Sequence, residues 1–158
     1  MTSAFFQYNK PKVIQALRYH FISRKEIKFM MILVNVFALL SAGLYFFKKI
    51  SPVAFLLSST LWFIMMILFW FLLPQIIFSK SPTFRDKLKA TLGNDHFLIE
   101  NNHGNRSWSW KEFSIWMESP HHFHLYFNNS SFFLIPKEAF SADEVQEVRR
   151  ILVQKIKR

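Results

Sequence analysis

The sequence predicts an α+β membrane protein, in which a two-helix transmembrane hairpin is followed by a small antiparallel β-meander or half-barrel capped by a C-terminal helix. Three observations predict this class. Two long apolar runs follow residue 28, short alternating segments separated by turn residues follow residue 83, and an amphipathic segment ends the chain. We therefore expect three segments: 1–28, a strand and an amphipathic helix; 29–78, the hairpin; and 83–158, the β domain.

The first segment opens with aromatic residues at 3–8, which fit either a short strand or a frayed terminus. Residues 9–23 have helical periodicity, and Pro11 is acceptable in a first helical turn. The apolar residues of this helix share one face and are Val13, Ile14, Leu17 and Phe21. Two placements stay open, because such a face suits packing on the β domain and also suits a membrane surface.

The hairpin consists of residues 29–47 and 53–73, and neither run contains a charged residue. A helix of about 20 residues spans roughly 30 Å, which is the thickness of a bilayer's hydrocarbon core. Only a helix satisfies its own backbone hydrogen bonds in lipid, short of a closed barrel. The late start and length of the first run argue against a cleavable signal peptide, so the hairpin is expected to remain in the mature chain.

The net charge of +10 lies entirely around the membrane segments. Residues 1–90 contain 12 Lys and Arg against two acidic residues, whereas residues 91–158 contain eight of each. The connecting loop offers only Lys48 and Lys49, so the positive-inside rule places both termini in the cytoplasm. This location argues against a nucleic-acid partner and favours contact with anionic lipid headgroups. The residues expected to make that contact are Arg24, Lys25, Lys28, Lys80, Lys87 and Lys89.

Small residues that let two helix backbones approach are expected to hold the hairpin together. They are Ala38, Ser41, Ala42 and Gly43 in the first helix and Ser58 and Ser59 in the second, at similar depth. Asn35 is expected to form an interhelical hydrogen bond rather than to mark a transport path. Pro74 is expected to kink or end the second helix.

Six alternating segments predict the meander: 87–92, 97–100, 107–110, 113–118, 123–127 and 132–135. Trp108 and Trp110 are expected on one face, and in the next strand Phe113, Ile115 and Met117 share a face. A final helix is predicted over 141–157, where Ser141 and Glu144 form a capping-box pattern. Its apolar stripe contains Val145, Val148, Leu152 and Ile156, and Lys155, Lys157 and Arg158 suit its C-terminal end.

Three motifs, in this architecture, resemble the YcxB-like family of small bacterial membrane proteins. They are Trp108-Ser109-Trp110-Lys111-Glu112-Phe113, Phe133-Leu134-Ile135-Pro136-Lys137-Glu138-Ala139-Phe140, and Ala16-Leu17-Arg18-Tyr19-His20-Phe21. The resemblance implies a multi-pass protein of the bacterial inner membrane. It also implies a cytoplasmic C-terminal domain similar to pleckstrin-homology (PH) domains, but no established enzyme activity and no catalytic residues. Phosphoinositide binding by such a domain is poorly supported, because Arg106 is the only cation expected in the second turn.

His122 and His124 are the candidate metal ligands, since alternation puts them on one strand face. The competing interpretation is that these histidines are solvated surface residues. Without cysteine there is no thiolate site and no disulfide. Phosphate loops, nucleophile elbows and zinc-protease motifs are also missing from the sequence, so neither an enzyme activity nor a cofactor is predicted.

The predicted function is that of a membrane-tethered interaction module, which binds a cytoplasmic protein or peptide, and an exposed strand edge is the candidate binding surface. One alternative is a structural or sensory envelope protein that forms a homo-oligomer through its hairpin. The other is a metal-dependent enzyme that uses the histidine cluster. A heterologous partner would support the module, self-association the envelope protein, and stoichiometric zinc the enzyme.

Overall fold

The computed structural model describes residues 1–156 and shows an α+β protein. Its backbone falls into two units. The helical unit comprises residues 17–80, and the β unit comprises residues 1–16 together with the chain from Ser81 onward.

The helical unit contains two long antiparallel helices, here called rods. Helix α1 (Lys10–Ser23) leads into the first rod, which is α2 (Lys25–Phe46). A tight turn with Lys48 at φ 55° then leads into the second rod. That rod contains α3 (Pro52–Ile67), a π-helical turn (Leu68–Leu72) and α4 (Leu73–Lys80). With 22 and 29 residues, α2 and the second rod are long and apolar enough to cross a bilayer, and most of their side chains are exposed. Their length and composition suggest a membrane location.

Pro74 does not end the second rod, which continues to Lys80. Proline has no N–H to offer the carbonyl four residues earlier, and its ring crowds that carbonyl. The π-turn ends at Leu72, two residues before Pro74, and the Arg18 Nε donates to the carbonyl oxygen of Trp70 over 2.9 Å. The wider turn and this donor explain why the rod continues through proline rather than stopping there.

Two antiparallel sheets form the β unit. The first has the order β1-β2-β3-β4 and the second β5-β6-β7. Their strands are β1 (Phe6–Gln7), β2 (Lys87–Leu92), β3 (His96–Asn101), β4 (Gly104–Ser109), β5 (Ile115–Glu118), β6 (His122–Tyr126) and β7 (Phe132–Pro136). The short aromatic segment near the N-terminus is thus a strand, with Phe6 opposite Leu88.

The chain changes sheets at a point where continuous alternation was expected. Strand β4 ends at Ser109, and a 3₁₀ turn (Trp110–Glu112) with a capping box follows it. Because the turn interrupts the two-residue period, the next strand is shifted by one residue. Trp116 is 4% exposed and Ile115 is 45% exposed, which reverses the face expected for β5.

The core of the β unit lies around β6, in which all five residues are buried. Helix α5 (Ala142–Lys155) contributes Val148 and Leu152 to this core, and the Ser141–Glu144 capping box begins it. The predicted end of this helix at Lys157 lies outside the described residues. The first half of α1 also belongs to the β unit, with Val13 and Ala16 buried, so this part of the helix packs on protein.

Candidate functional site: an open cleft beside an edge strand

A cleft of about 560 Å³ opens between the two sheets of the β unit. One wall is the inner face of the first sheet at its β3–β4 end, and the other is formed around the β6–β7 turn. Helix α5 is anchored at the opposite end of β6, where Arg149 reaches Glu118. The helix therefore contacts the second sheet at one end, and the cleft lies at the other end.

Strand β4 borders the cleft and is an edge strand. Among the described strands it pairs only with β3, and five of its six residues are exposed. Residues 102–103 form the turn of the β3–β4 hairpin, and Gly104, which begins β4, has a φ of 147°, a conformation that L residues rarely adopt. An edge of this kind presents backbone N–H and C=O groups that another chain can bind.

Aromatic side chains line the inner part of the cleft. The ring centroid of Trp108 lies 5.7 Å from that of Phe127 and 6.3 Å from that of Phe133. All three residues are partly exposed, whereas Phe97 behind Trp108 is fully buried. The three rings thus form an accessible apolar surface that continues into the core.

Arg106 lies in β4, although a position in the turn was expected. Its guanidinium carbon is 5.3 Å from the centroid of the Trp108 ring, in a cation–π contact. None of the ion pairs found within residues 1–156 involves Arg106. By contrast, Asp86, whose carboxylate also lines the cleft, has a partner: it accepts a hydrogen bond from the side-chain amide of Asn101 over 3.4 Å. Arg106 is therefore a cation held in place by an aromatic ring and available to an anionic ligand.

The candidate metal ligands His122 and His124 are buried, so the interpretation as solvated residues is wrong. His122 lies against the ring of Tyr8, and burial lowers its pKa to about 4 despite the opposing effect of Glu138. His124 stacks on Tyr126 and Phe132. Over residues 1–156, no group of three or more His, Cys, Asp or Glu side chains is placed to hold a metal ion.

A charged cluster joins α5 to the second sheet. The Arg149 Nη2 and the Lys137 Nζ donate to Glu118 Oε1 over 2.6 and 2.7 Å. The hydrogen bond from Arg149 is the main cause that lowers the pKa of Glu118 to about 2. Lys137 and Glu118 thus pair with each other, and Glu118 also accepts from Arg149 of α5, which favours a structural role for both residues.

The residues expected to contact lipid fall in both units. Lys25, Lys28 and Lys80 are exposed in the helical unit, where Arg24 lies 3.9 Å from Glu26. In the β unit, Lys87 is exposed, and the Lys89 ammonium lies 4.0 Å from Glu100 and 5.4 Å from the centroid of Phe5. Their contact with headgroups stays a prediction.

The structure brings together two of the residues expected to pack the hairpin. The hydroxyl oxygens of Ser41 and Ser58 lie 2.5 Å apart, and Ser41 is buried. Ala38, Gly43 and Ser59 are half-buried, and Ala42 is exposed. Asn35 accepts a hydrogen bond from Trp62 of the other rod over 3.2 Å.

Sequence reasoning missed the cleft. The signal available was the pair Arg106 and Trp108, two residues apart in an alternating segment, which places a cation and an indole on the same sheet face. Alternation also predicts Trp108 and Trp110 on one face, but Trp110 is a buried residue of the 3₁₀ turn. Two sheets that part at one end were not foreseeable from a pattern that predicts a continuous meander.

Comparison with protein-family models finds a match in the C-terminal part of the chain. Residues 92–152 match the model of a family described as YcxB-like protein. No curated protein and no solved structure matches the chain. The matched residues run from the end of β2 into α5 and include Arg106, Trp108, Phe127 and Phe133. The predicted resemblance to the YcxB-like family is therefore confirmed over residues 92–152.

Proposed function

We propose that this chain is an inner-membrane protein that anchors a cytoplasmic interaction module, and that the module binds a protein partner in the cleft beside β4 without catalysing a reaction. The anchor in this proposal is the pair of apolar rods, α2 and the rod from Pro52 to Lys80. The orientation rests on charge, since the excess of Lys and Arg flanks the outer ends of the rods and only Lys48 and Lys49 lie between them.

The observation that carries the proposal is the cleft itself. It combines an exposed strand edge, an accessible aromatic surface and one cation without an ion-pair partner among the described residues. Aromatic residues and Arg are enriched where proteins bind one another, because they bury much area and make directional contacts. These groups suit binding rather than bond-making chemistry, so no catalytic step is proposed.

A likeness to PH domains belongs to the same proposal. Two antiparallel sheets followed by a C-terminal helix support it. A fold alone does not assign a ligand, and the cleft contains a single Arg rather than a basic cluster. We therefore assign the lipid contact to the cations of residues 24–28 and 80–89, and the protein contact to the cleft.

Site-specific photo-crosslinking in intact cells tests this proposal. A photoreactive amino acid replaces Asn105, an exposed cleft residue, and in a matched control it replaces Gln154, an exposed residue of α5. We expect an adduct with a different protein from position 105 and not from position 154. Equal adducts at both positions, or an adduct only with a second copy of the chain, would contradict the proposal, and the second result would favour self-association.

A further inference from the structure

The register of β3 and β4 determines which side chains an added strand would meet. Arg106 lies opposite Ile99, and Trp108 lies opposite Phe97. Ile99 and Phe97 are buried on the inner face of the first sheet. Cross-strand partners point to the same face, so Arg106 and Trp108 both project from β4 toward the cleft.

We propose that the ligand of the cleft is an extended peptide that adds to β4 as a fifth strand and carries an apolar residue and a carboxylate two positions apart. This inference rests on the proposed function and specifies its partner. Successive side chains of a strand alternate between faces, so two residues separated by one position meet Trp108 and Arg106 on the inner face.

Each part of the ligand has a matching group in the cleft. The apolar side chain covers the rings of Trp108, Phe127 and Phe133, in which the Trp108 centroid lies 5.7 Å from that of Phe127 and 6.3 Å from that of Phe133. The carboxylate pairs with Arg106, whose planar guanidinium stacks on Trp108 and so loses little freedom on binding. The peptide backbone bonds to the free edge of β4, as in other strand-addition complexes.

An inward-pointing charge on an edge strand has another known use, which is to prevent two copies of a protein from pairing edge to edge. The two roles of Arg106 differ in their consequences. A guard against pairing predicts that removal of the charge makes the chain self-associate. If Arg106 instead binds a carboxylate, reversal of its charge is expected to reverse the sign of the charge that is preferred in the ligand.

Binding of fluorescein-labelled hexapeptides to the full chain in nanodiscs tests the inference, with fluorescence anisotropy as the readout. The hexapeptides form a positional library in which each position is varied in turn. We expect enrichment of an apolar residue and, two positions away, of Asp or Glu. Arg106→Gln is expected to weaken binding of the selected peptide about tenfold, the effect of one charge-assisted contact at an exposed site.

Charge reversal and backbone methylation sharpen the test. Arg106→Glu is expected to shift the preference from Asp or Glu to Lys or Arg at that position. Arg150→Glu, which changes an exposed Arg on α5, is expected to leave the preference unchanged. Methylation of peptide amides one at a time is expected to abolish binding at every second position, because alternate N–H groups of a strand face β4.

Two results would overturn the inference. The first is a preference that does not respond to Arg106→Glu, particularly if Arg106→Gln makes the chain self-associate on size exclusion. The second is the lack of any selected hexapeptide while the photo-crosslinker at position 105 still captures a protein. That second outcome removes the peptide mode but leaves the proposed function standing, whereas loss of the crosslink removes the proposed function.

Discussion

The imidazole of His122 is a titratable group that is buried away from water. It is 1% exposed, its Nδ1 has no hydrogen-bond partner among residues 1–156, and the ring of Tyr8 covers it at 6.4 Å between centroids. Lys12, Lys137 and His121 disfavour its protonation, and Glu138 favours it. Burial is the largest effect, so the folded protein holds this imidazole neutral down to about pH 4.

This burial predicts that the fold weakens in mild acid. The unfolded chain takes up a proton near pH 6.5, whereas folded His122 does not until about pH 4. The stabilisation is complete above pH 6.5 and is lost as the pH falls toward 4. For one proton the slope is about 1.4 kcal/mol per pH unit. Near-UV circular dichroism of denaturant unfolding of the full chain in detergent, repeated across this range, measures it.

The variant His122→Phe is expected to flatten this slope by about one proton, since an apolar ring fills the same place beside Tyr8. His121→Gln is the matched control, because that neighbouring side chain is exposed. A slope that is the same in His122→Phe and in the unaltered chain would show that His122 is not the group responsible.

The strand face of a residue was predictable where alternation alone determines it. Its burial was not predictable where it depends on residues that are distant in the sequence. His122 and His124 are two residues apart in one strand, as their spacing predicted. Their burial comes from covering groups, and Tyr8, which covers His122, is more than 110 residues away in sequence. No local sequence pattern indicates that a residue so distant in sequence will cover this side chain. Arg106 was assigned to a turn because strand ends are poorly marked by short polar residues.

The two rods of the hairpin meet along a line of aromatic and polar contacts. Tyr45 stacks on Phe55 with centroids 4.6 Å apart, Ser41 meets Ser58, and Asn35 meets Trp62. In lipid, helices do not gain from burying apolar surface against each other, so close packing and hydrogen bonds of this kind hold them together. Ser41 is the buried residue of α2 and the centre of the contact.

Ser41→Leu is therefore expected to separate the rods, whereas Ala42→Leu adds the same side chain on an exposed face. The chain has no cysteine, so Tyr45→Cys with Phe55→Cys introduces a single reporter disulfide. We expect Ser41→Leu to slow formation of this disulfide several-fold under mild oxidation, and Ala42→Leu to leave its rate unchanged. Equal rates in both variants would show that Ser41 does not set the spacing of the rods.

Most elements were predictable, because long apolar runs and two-residue alternation are local properties of the sequence. The path of the rod through Pro74 was not, since it depends on a π-turn and on Arg18 donating to Trp70 from α1. The division into two sheets was not predictable either. It follows from the 3₁₀ turn after Ser109, whose aromatic residues look like a continued strand when read only for alternation.

The proposals for the whole molecule depend on where charge lies. The net charge of residues 1–90 is +10, whereas the YcxB-like region from 92 to 152 contains five Lys and Arg against eight Asp and Glu, a net charge of −3. This distribution suits a cationic flank on one side of a bilayer, at about 1 kcal/mol for each well-placed Lys or Arg. Within the cleft, Arg106 is a local cation in a region whose net charge is negative.

Labelling of single cysteines in intact cells tests the membrane topology on which the account depends. Lys49→Cys places one thiol in the connecting loop, and Gln154→Cys places one in α5 of an otherwise cysteine-free chain. With a membrane-impermeant maleimide, the account predicts labelling of Lys49→Cys in intact cells and of Gln154→Cys only after permeabilisation. Labelling of Gln154→Cys in intact cells would contradict it.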